Sequence, residues 1–156
     1  NIKSIGLNDA DGVNLLDNYR TSRGESALVP AAGIDDYSDI QAFIARLTSS
    51  DPVVRENAKI VVLNGTSRSG LAARESEQLE DKKYNVTDIG DADSETVTTT
   101  QIIDVSGTKS GTKSALQKRY NGSTVTTTNP YGSQYDADII VIIGSDRISS
   151  STNSSN

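Results

Sequence analysis

Strands and helices in the order β-α-β-β-α-β are predicted by three features of this 156-residue sequence. Two uninterrupted apolar runs, at 59–63 and 139–143, are typical of strands covered on both faces. Helix-length segments lie at about 70–83 and 112–120, and weaker strands are expected at 86–89 and 100–105. The predicted class is therefore α+β: a split βαβ, ferredoxin-like sandwich with both helices on one face, preceded by an N-terminal extension that carries one amphipathic helix.

The composition is lean for a globular protein of this length. Hydrophobic residues make up 34% and aromatic residues 4% of the chain, so we expect one modest core rather than a core that spans the whole sequence. The formal net charge is −6 and basic residues form no run, which argues against sequence-independent nucleic-acid binding. Cysteine and histidine are absent, which excludes disulfides, thiolate catalysis, Ser–His triads and the commonest metal ligand.

Composition divides the chain into three regions. We expect residues 1–52 to be the tail of an upstream domain plus a linker, residues 58–148 to form the α+β domain, and the Ser-, Thr- and Asn-only segment 149–156 to be disordered. The chain starts with Asn and contains no Met, so we expect a fragment whose export signal or anchor lies upstream. No run approaches the about 18 apolar residues that a membrane-spanning helix needs.

The first region is predicted to carry one strand and one helix. Residues 1 to about 24 are expected to be poorly ordered or only loosely packed, and a short strand at 26–29 ends at Pro30. The acidic pair at 35–36 can cap a helix at about 36–47. The apolar residues on one face of that helix are Ile40, Phe43, Ile44 and Leu47. This stripe must be buried, either against the second region or against a domain that has been cut away.

The turn after the first strand of the second region is the candidate binding site. It places hydroxyls, a guanidinium and free backbone amides at the start of a helix, which favours an anion or a polar ligand. Ser69 or Ser67 is the expected N-cap of that helix. The residues predicted to bind a ligand are Asn64, Thr66, Ser67, Arg68, Ser69, Gly70 and Arg74.

The same turn also fits two other interpretations. In a purely structural turn, Gly65 supplies an unusual backbone angle, Ser69 caps the helix and Arg68 is a solvated charge. The spacing Gly65-x4-Gly70 imitates a phosphate-binding loop, but leucine and alanine follow where that motif needs Lys and Ser or Thr. Nucleotide binding is therefore not expected.

Acidic residues offer no convincing metal or catalytic site. In the acidic cluster at 88–95, Thr96 stands where a calcium loop would be expected to have its glycine, and the segment 7–12 fails the EF-hand register at two ligand positions. Asp104 and Asp146 lie near strand ends, but nothing in the sequence brings them to one cleft. No catalytic residue, metal or cofactor is predicted.

Several stretches of the second region together resemble one protein family. They are 59–66 (KIVVLNGT), 69–74 (SGLAAR), Leu79 with 84–86, and 138–146 (DIIVIIGSD). This set resembles the C-terminal domain of LytR-CpsA-Psr (LCP) cell-envelope proteins. The segments 26–33 and 36–41 are similar to the stretch that ends the LCP catalytic domain, but the arginines and acids with which that domain grips its ligand have no match here.

The resemblance implies an extracytoplasmic protein of the Gram-positive cell envelope, anchored by a transmembrane helix upstream. Its catalytic domain would be a phosphotransferase-type ligase that attaches secondary wall polymers or glycans to peptidoglycan or surface proteins. For the C-terminal module we expect a non-catalytic role, the binding of cell-wall polysaccharide or peptidoglycan. Sugar sites usually offer an aromatic platform, and the candidates in this region are Tyr84, Tyr120, Tyr131 and Tyr135. The ordinary interpretation is that Tyr84 and Tyr120 pack on the core and that Tyr131 and Tyr135 lie in a mobile loop.

Two alternatives stay open at the level of sequence. In the first, the module docks on its own LCP catalytic domain or on another envelope protein through an exposed apolar patch. In the second, it takes part in catalysis, as a pyrophosphate hydrolase or as part of the transferase. The second alternative predicts a metal dependence that a chain without His or Cys barely supports.

Overall fold

The computed structural model describes residues 8–10 and 13–148, and it divides into two units, Asn1–Ser49 and Ser50–Asn156. The predicted disordered tail at 149–156 lies outside the described residues, as does part of the segment expected to be poorly ordered at the N-terminus. In the part of the chain that is described, no helix is long and apolar enough to cross a membrane.

The first unit consists of two small antiparallel sheets and a helix. Strands β1 (Asn8–Ala10) and β2 (Val13–Asn14) pair with each other, and β3 (Leu16–Arg20) forms a hairpin with β4 (Ser26–Pro30). The strand predicted at 26–29 is confirmed, but its partner β3 was not predicted. Most side chains of β3 are exposed, so it lacks the apolar alternation that marks a half-buried strand.

Helix α1 (Ser38–Leu47) confirms the predicted amphipathic helix and shows what its apolar stripe contacts. Phe43 is buried against Leu15 of the same unit, with Ile40 and Leu47 packed beside them, while Ile44 is 51% exposed. The N-cap position is occupied by Tyr37 rather than by one of the two predicted acidic residues. Asp36, one residue earlier, nevertheless accepts a hydrogen bond from the Ser38 amide of the first turn at 3.0 Å.

The second unit is built on a five-stranded mixed sheet, which confirms the predicted α+β class. Its strands are β5 (Lys59–Asn64), β6 (Asn85–Asp91), β7 (Gln101–Asp104), β8 (Thr124–Thr126) and β9 (Ile139–Ile143), and its helices are α2 (Pro52–Glu56), α3 (Leu71–Glu80) and α4 (Ser110–Arg119). The strand order is β6-β5-β9-β7-β8. The last strand therefore lies between two β-α-β halves, parallel to β5 and antiparallel to β7.

The two faces of this sheet are covered in different ways. All three helices pack on one face, where alternate strand residues such as Ile60, Val62 and Val141 meet Leu79 and Leu116, so the predicted placement of α3 and α4 on one face is confirmed. The other face is covered by loop segments that include Tyr131. The expectation that Tyr131 lies in a mobile loop is wrong, because its ring is buried on the sheet.

The starts of two helices also differ from the sequence predictions. Helix α2 was not predicted. Asp51 caps it by accepting a hydrogen bond from the Val53 amide at 2.9 Å, and Pro52 occupies the first turn. Helix α3 begins after Gly70, which adopts a left-handed φ of 77°, so neither Ser69 nor Ser67 is its N-cap. Glycine is favoured at Gly70 because residues with a Cβ rarely adopt this conformation.

Candidate functional site

The candidate site lies at the edge of the sheet where β5, β6 and β9 end. These three strands are parallel, so their carboxyl ends meet at one edge, and the antiparallel β7 and its neighbour β8 begin there. Loops that leave the carboxyl ends of parallel strands are the usual place for ligand binding in sheets of this kind. The predicted loop at 64–74 and the segment that leads into β7 both lie at this edge.

Two of the predicted site residues hold the loop itself. The buried Asn64 amide donates to the Arg68 carbonyl at 3.0 Å, and its Oδ1 accepts from the Thr66 amide at 3.1 Å and from the Thr66 hydroxyl at 2.9 Å. The Thr66 hydroxyl in turn accepts from the Arg68 amide at 3.2 Å. Asn64 and Thr66 therefore have their hydrogen-bonding capacity directed at the loop backbone and at each other, which makes them positioning residues.

The remaining predicted residues are an exposed group at 67–70 and Arg74, whose side chain contacts Glu75 and Arg147. The residues 67–70 are exposed, and Ser69 and Gly70 line a small cavity of about 270 Å³ together with Asn64. Arg74 is not part of that cavity. Its Nη2 atom lies 3.4 Å from the Glu75 carboxylate and 3.4 Å from the Arg147 carbonyl. The structure thus brings most of the predicted residues together and separates Arg74 from them.

Gly65 is required for a different reason from the one predicted. It does not have a positive φ. Instead, a Cβ at this position would lie 2.7 Å from Cβ and Cγ2 of Val97 and 2.9 Å from Cγ2 of Ile142. The chain passes too close to its neighbours for any side chain, and the Val97 amide donates to the Gly65 carbonyl at 2.8 Å. This close approach joins the predicted loop to the segment that precedes β7.

A larger groove, of about 590 Å³, is bordered by the same Val97 and Ile142 side chains and was not predicted. Its walls carry many hydroxyl and amide groups, and its apolar lining includes Val97, Tyr131 and Ile142. The polar residues that line it are Asp93, Ser94, Thr96, Thr98, Thr99, Gln101 and Thr124. The one sequence signal for this groove is the run of threonines immediately before β7, since polar residues at the edge of a buried strand mark a site-forming loop.

Tyr131 contributes an aromatic ring to this groove. Its ring lies edge-on to that of Tyr135, with centroids 5.6 Å apart and an interplanar angle of 70°. Burial raises the pKa of the Tyr131 hydroxyl above its usual value, and a hydrogen bond to the Asp93 backbone opposes this effect in part. The hydroxyl therefore stays protonated at neutral pH and can donate a hydrogen bond.

The acidic residues considered from the sequence have structural partners. Asp104 accepts from Lys113 Nζ at 2.7 Å, and Asp146 accepts from the Thr100 amide and hydroxyl at 3.0 and 2.9 Å. They lie at opposite ends of the sheet, because Asp104 pairs with the first residue of β9 whereas Asp146 follows its end. Among the described residues, no group of three Asp, Glu, His or Cys side chains is placed to hold a metal ion.

Comparison with known proteins identifies the second unit. Residues 57–146 match the family model described as LytR_C, LytR cell envelope-related transcriptional attenuator. This match covers more than half of the chain and includes every strand of the five-stranded sheet. No curated protein and no solved structure matches the chain.

Proposed function

This chain belongs to the LytR cell envelope-related transcriptional attenuator family, and on that premise we propose that its second unit is a non-catalytic accessory module that binds cell-wall glycan. Domains of this family belong to cell-envelope proteins, where peptidoglycan and its attached polysaccharides are at hand. The observation that carries the proposal is the groove of about 590 Å³ at the edge of the sheet.

The lining of the groove suits a sugar ring. A pyranose presents hydroxyls at its edge and C–H groups on its faces, so a complementary site needs hydrogen-bonding groups beside an apolar surface. Thr98, Thr99 and Gln101 supply the polar groups, and Val97 and Tyr131 supply the apolar surface. Thr98, Thr99 and Gln101 are neutral, so they bind a neutral glycan without the desolvation cost of a charge, whereas Asp93, which also lines the groove, is an acidic residue.

The predicted loop has a supporting part in this proposal. Thr66 forms a β-bridge with Thr96, which lines the groove. The exposed residues Ser67, Arg68 and Ser69 come directly after Thr66 in the sequence. We assign Asn64 and Thr66 to holding the loop. Arg74 has no contact with the glycan in this arrangement, because it faces Glu75.

Co-sedimentation of the whole chain with purified Gram-positive cell walls tests the proposal. Half of the walls are stripped with acid to remove secondary polymers, so that the two preparations separate binding to peptidoglycan from binding to its attached polymers. The double variant Thr98→Val, Thr99→Val removes two hydroxyls with little change of shape. Thr87→Val is its matched control, since Thr87 is an exposed β6 residue outside the groove.

We expect the native chain and Thr87→Val to sediment with walls and the double variant to remain largely in solution. Each lost hydrogen bond costs about 0.5–1.5 kcal/mol. Two such losses reduce the bound fraction several-fold at concentrations near Kd. If no form sediments, or if all three sediment equally, the groove does not bind wall glycan.

A second candidate function has its own support in the first unit. Among the described residues, five of the eight large apolar side chains that are well exposed belong to this unit: Tyr19, Leu28, Ile34, Tyr37 and Ile44. Exposed apolar side chains of this kind favour docking on another protein. We propose an upstream LCP catalytic domain of the parent, a phosphotransferase-type ligase, as the partner. Titration of the whole chain with such a domain tests this, and Ile44→Ser is expected to weaken the complex.

The proposal places the module outside the cytoplasm, on a membrane-anchored parent of the Gram-positive envelope. Although the family description mentions transcription, direct contact with nucleic acid is not part of the proposal. A chain of net charge −6 repels a phosphate backbone, and it carries no basic run to overcome that repulsion.

A further inference from the structure

Three arginines from separate parts of the second unit converge on one buried carboxylate. Nη2 of Arg74 lies 3.4 Å from Oε1 of Glu75, and Nη2 atoms of Arg119 and Arg147 lie 3.6 and 4.0 Å from its Oε2. Arg74 and Glu75 belong to α3 and Arg119 ends α4, while Arg147 lies in a 3-10 turn (Ser145–Arg147) after β9. We call these four side chains the arginine cluster.

The arginine cluster has a surplus of positive charge. Three guanidinium groups face one carboxylate, which leaves two positive charges uncompensated. The other polar neighbours are neutral: the Tyr120 hydroxyl donates to Glu75 Oε2 at 3.3 Å, and the Gln78 amide oxygen accepts from Arg119 at 2.8 Å. Of the carboxylates in the described part of the chain, Glu75 alone lies within 4.0 Å of these guanidiniums.

The Tyr120 hydroxyl does not supply the missing negative charge. Burial raises its pKa to about 12, so it is neutral at physiological pH. Its ring instead contacts two cations, with the Arg119 and Arg147 guanidinium carbons 5.5 and 5.3 Å from its centroid. These cation–π contacts hold Arg119 and Arg147 in place without neutralising them.

The hydrogen bonding of the arginine cluster is incomplete as well. The Nε atoms of Arg74, Arg119 and Arg147 are buried and have no acceptor within the described structure. The three side chains are 34%, 14% and 23% exposed, so an ion in solution can approach them. Buried donors without acceptors and like charges held together are both costly, and an anion would relieve both costs.

We propose that the arginine cluster is a binding site for a phosphate group. The planar guanidinium fork matches phosphate oxygens in a bidentate geometry. A phosphate monoester carries about −1.5 to −2 charges at neutral pH, which balances the surplus of two, whereas a carboxylate balances half of it. This site lies on the helix-covered face and is independent of the glycan groove, so either proposal can fail without the other.

Titration of the whole chain with inorganic phosphate, followed by 15N-1H NMR at pH 7.5 and constant ionic strength, tests the site. Acetate is titrated in parallel as a monoanion. We expect saturable shifts of the three arginine Nε–H signals, with a Kd for phosphate at least about tenfold below that for acetate, equivalent to about 1.4 kcal/mol. Shifts that do not saturate, or equal Kd values for the two anions, would overturn the proposal.

Two variants separate binding from folding. Arg147→Gln removes a charge from a surface turn, and Arg119→Lys keeps the charge but loses the planar fork. We expect each to weaken phosphate binding about tenfold or more, again about 1.4 kcal/mol. Arg23→Gln, at an exposed position outside both candidate sites, is the matched control and should leave the Kd unchanged. If phosphate binds both folded variants as it binds Arg23→Gln, the arginine cluster is an internal ion network only.

Discussion

The carboxylate of Glu56 in α2 caps the first turn of α4 through Thr112. Oε2 of Glu56 accepts from both the amide and the hydroxyl of Thr112 at 2.7 Å, and its Oε1 accepts from the Gly111 amide at 2.9 Å. Helix α4 has no capping side chain of its own at Lys109. A five-residue helix therefore satisfies the free amides of a longer one and fixes it on the sheet.

Replacing Glu56 with Ala is expected to lower the free energy of unfolding by about 1–3 kcal/mol, because two backbone amides and a hydroxyl lose a charged acceptor. Urea denaturation followed by circular dichroism measures this change. Glu80→Ala on the exposed side of α3 is the matched control and should change stability by less than about 0.5 kcal/mol. Equal effects of the two substitutions would contradict the capping role.

The contribution of Glu56 should depend on pH in a defined direction. Burial acts to raise the pKa of Glu56, but the hydrogen bonds from Thr112 and Gly111 and the charge of Lys109 outweigh it, so the pKa in the folded state lies below the usual 4.5. The stabilisation is therefore complete above pH 4.5 and is lost as the pH falls through the lower, folded-state pKa. We expect the stability difference between the native chain and Glu56→Gln to shrink on going from neutral pH into this acidic range. A difference that stays constant across that range would show that the charge of Glu56 is not involved.

The close approach at Gly65 gives a third prediction. Gly65→Ala places a Cβ 2.7 Å from the Val97 side chain, so Val97 or the backbone must move. We expect the free energy of unfolding to fall by about 1–3 kcal/mol, which a lower melting temperature would show. Gly90→Ala is the control, since its Cβ would lie at an ordinary 3.4 Å from Leu63. Val97 lines the groove that we propose to bind glycan, so that proposal predicts weaker wall binding for Gly65→Ala and unchanged binding for Gly90→Ala.

The parts of this fold that the sequence predicts are those encoded by consecutive residues. The apolar runs of β5 and β9 and the spacing of Leu71 and Leu79 in α3 are local signals. The structure places both strands within one residue of the prediction, whereas α3 starts one residue later and ends three residues earlier than predicted. Helix α2 was missed because Asp51 and Pro52 are ambiguous. The same pair ends one helix or starts another, and five residues are too few to show a period.

The groove and the arginine cluster depend on residues that are distant in the sequence. Thr98, Thr124 and Tyr131 meet only because β7, β8 and the loop before β9 reach one edge of the sheet. Arg74 and Arg147 are 73 positions apart, and nothing near either one indicates the other. Sequence patterns identify elements, but the pairing order of strands decides which loops become neighbours. This is also why the sequence does not indicate that the Arg74 side chain faces Glu75 and Arg147.

Asn64 provides the test that separates a positioning residue from a ligand-binding one. Asn64→Asp keeps the shape of the side chain but removes the donor to the Arg68 carbonyl and introduces a charge at a buried position. We expect a loss of about 1–3 kcal/mol in the free energy of unfolding, with the loop loosened even when no glycan is present. Amide hydrogen exchange of residues 66–69 measures the loosening. Ser67→Ala is the control, because Ser67 is exposed and should leave both stability and exchange unchanged. If Asn64→Asp weakened wall binding but left stability and exchange as they are, Asn64 would be a direct ligand contact after all.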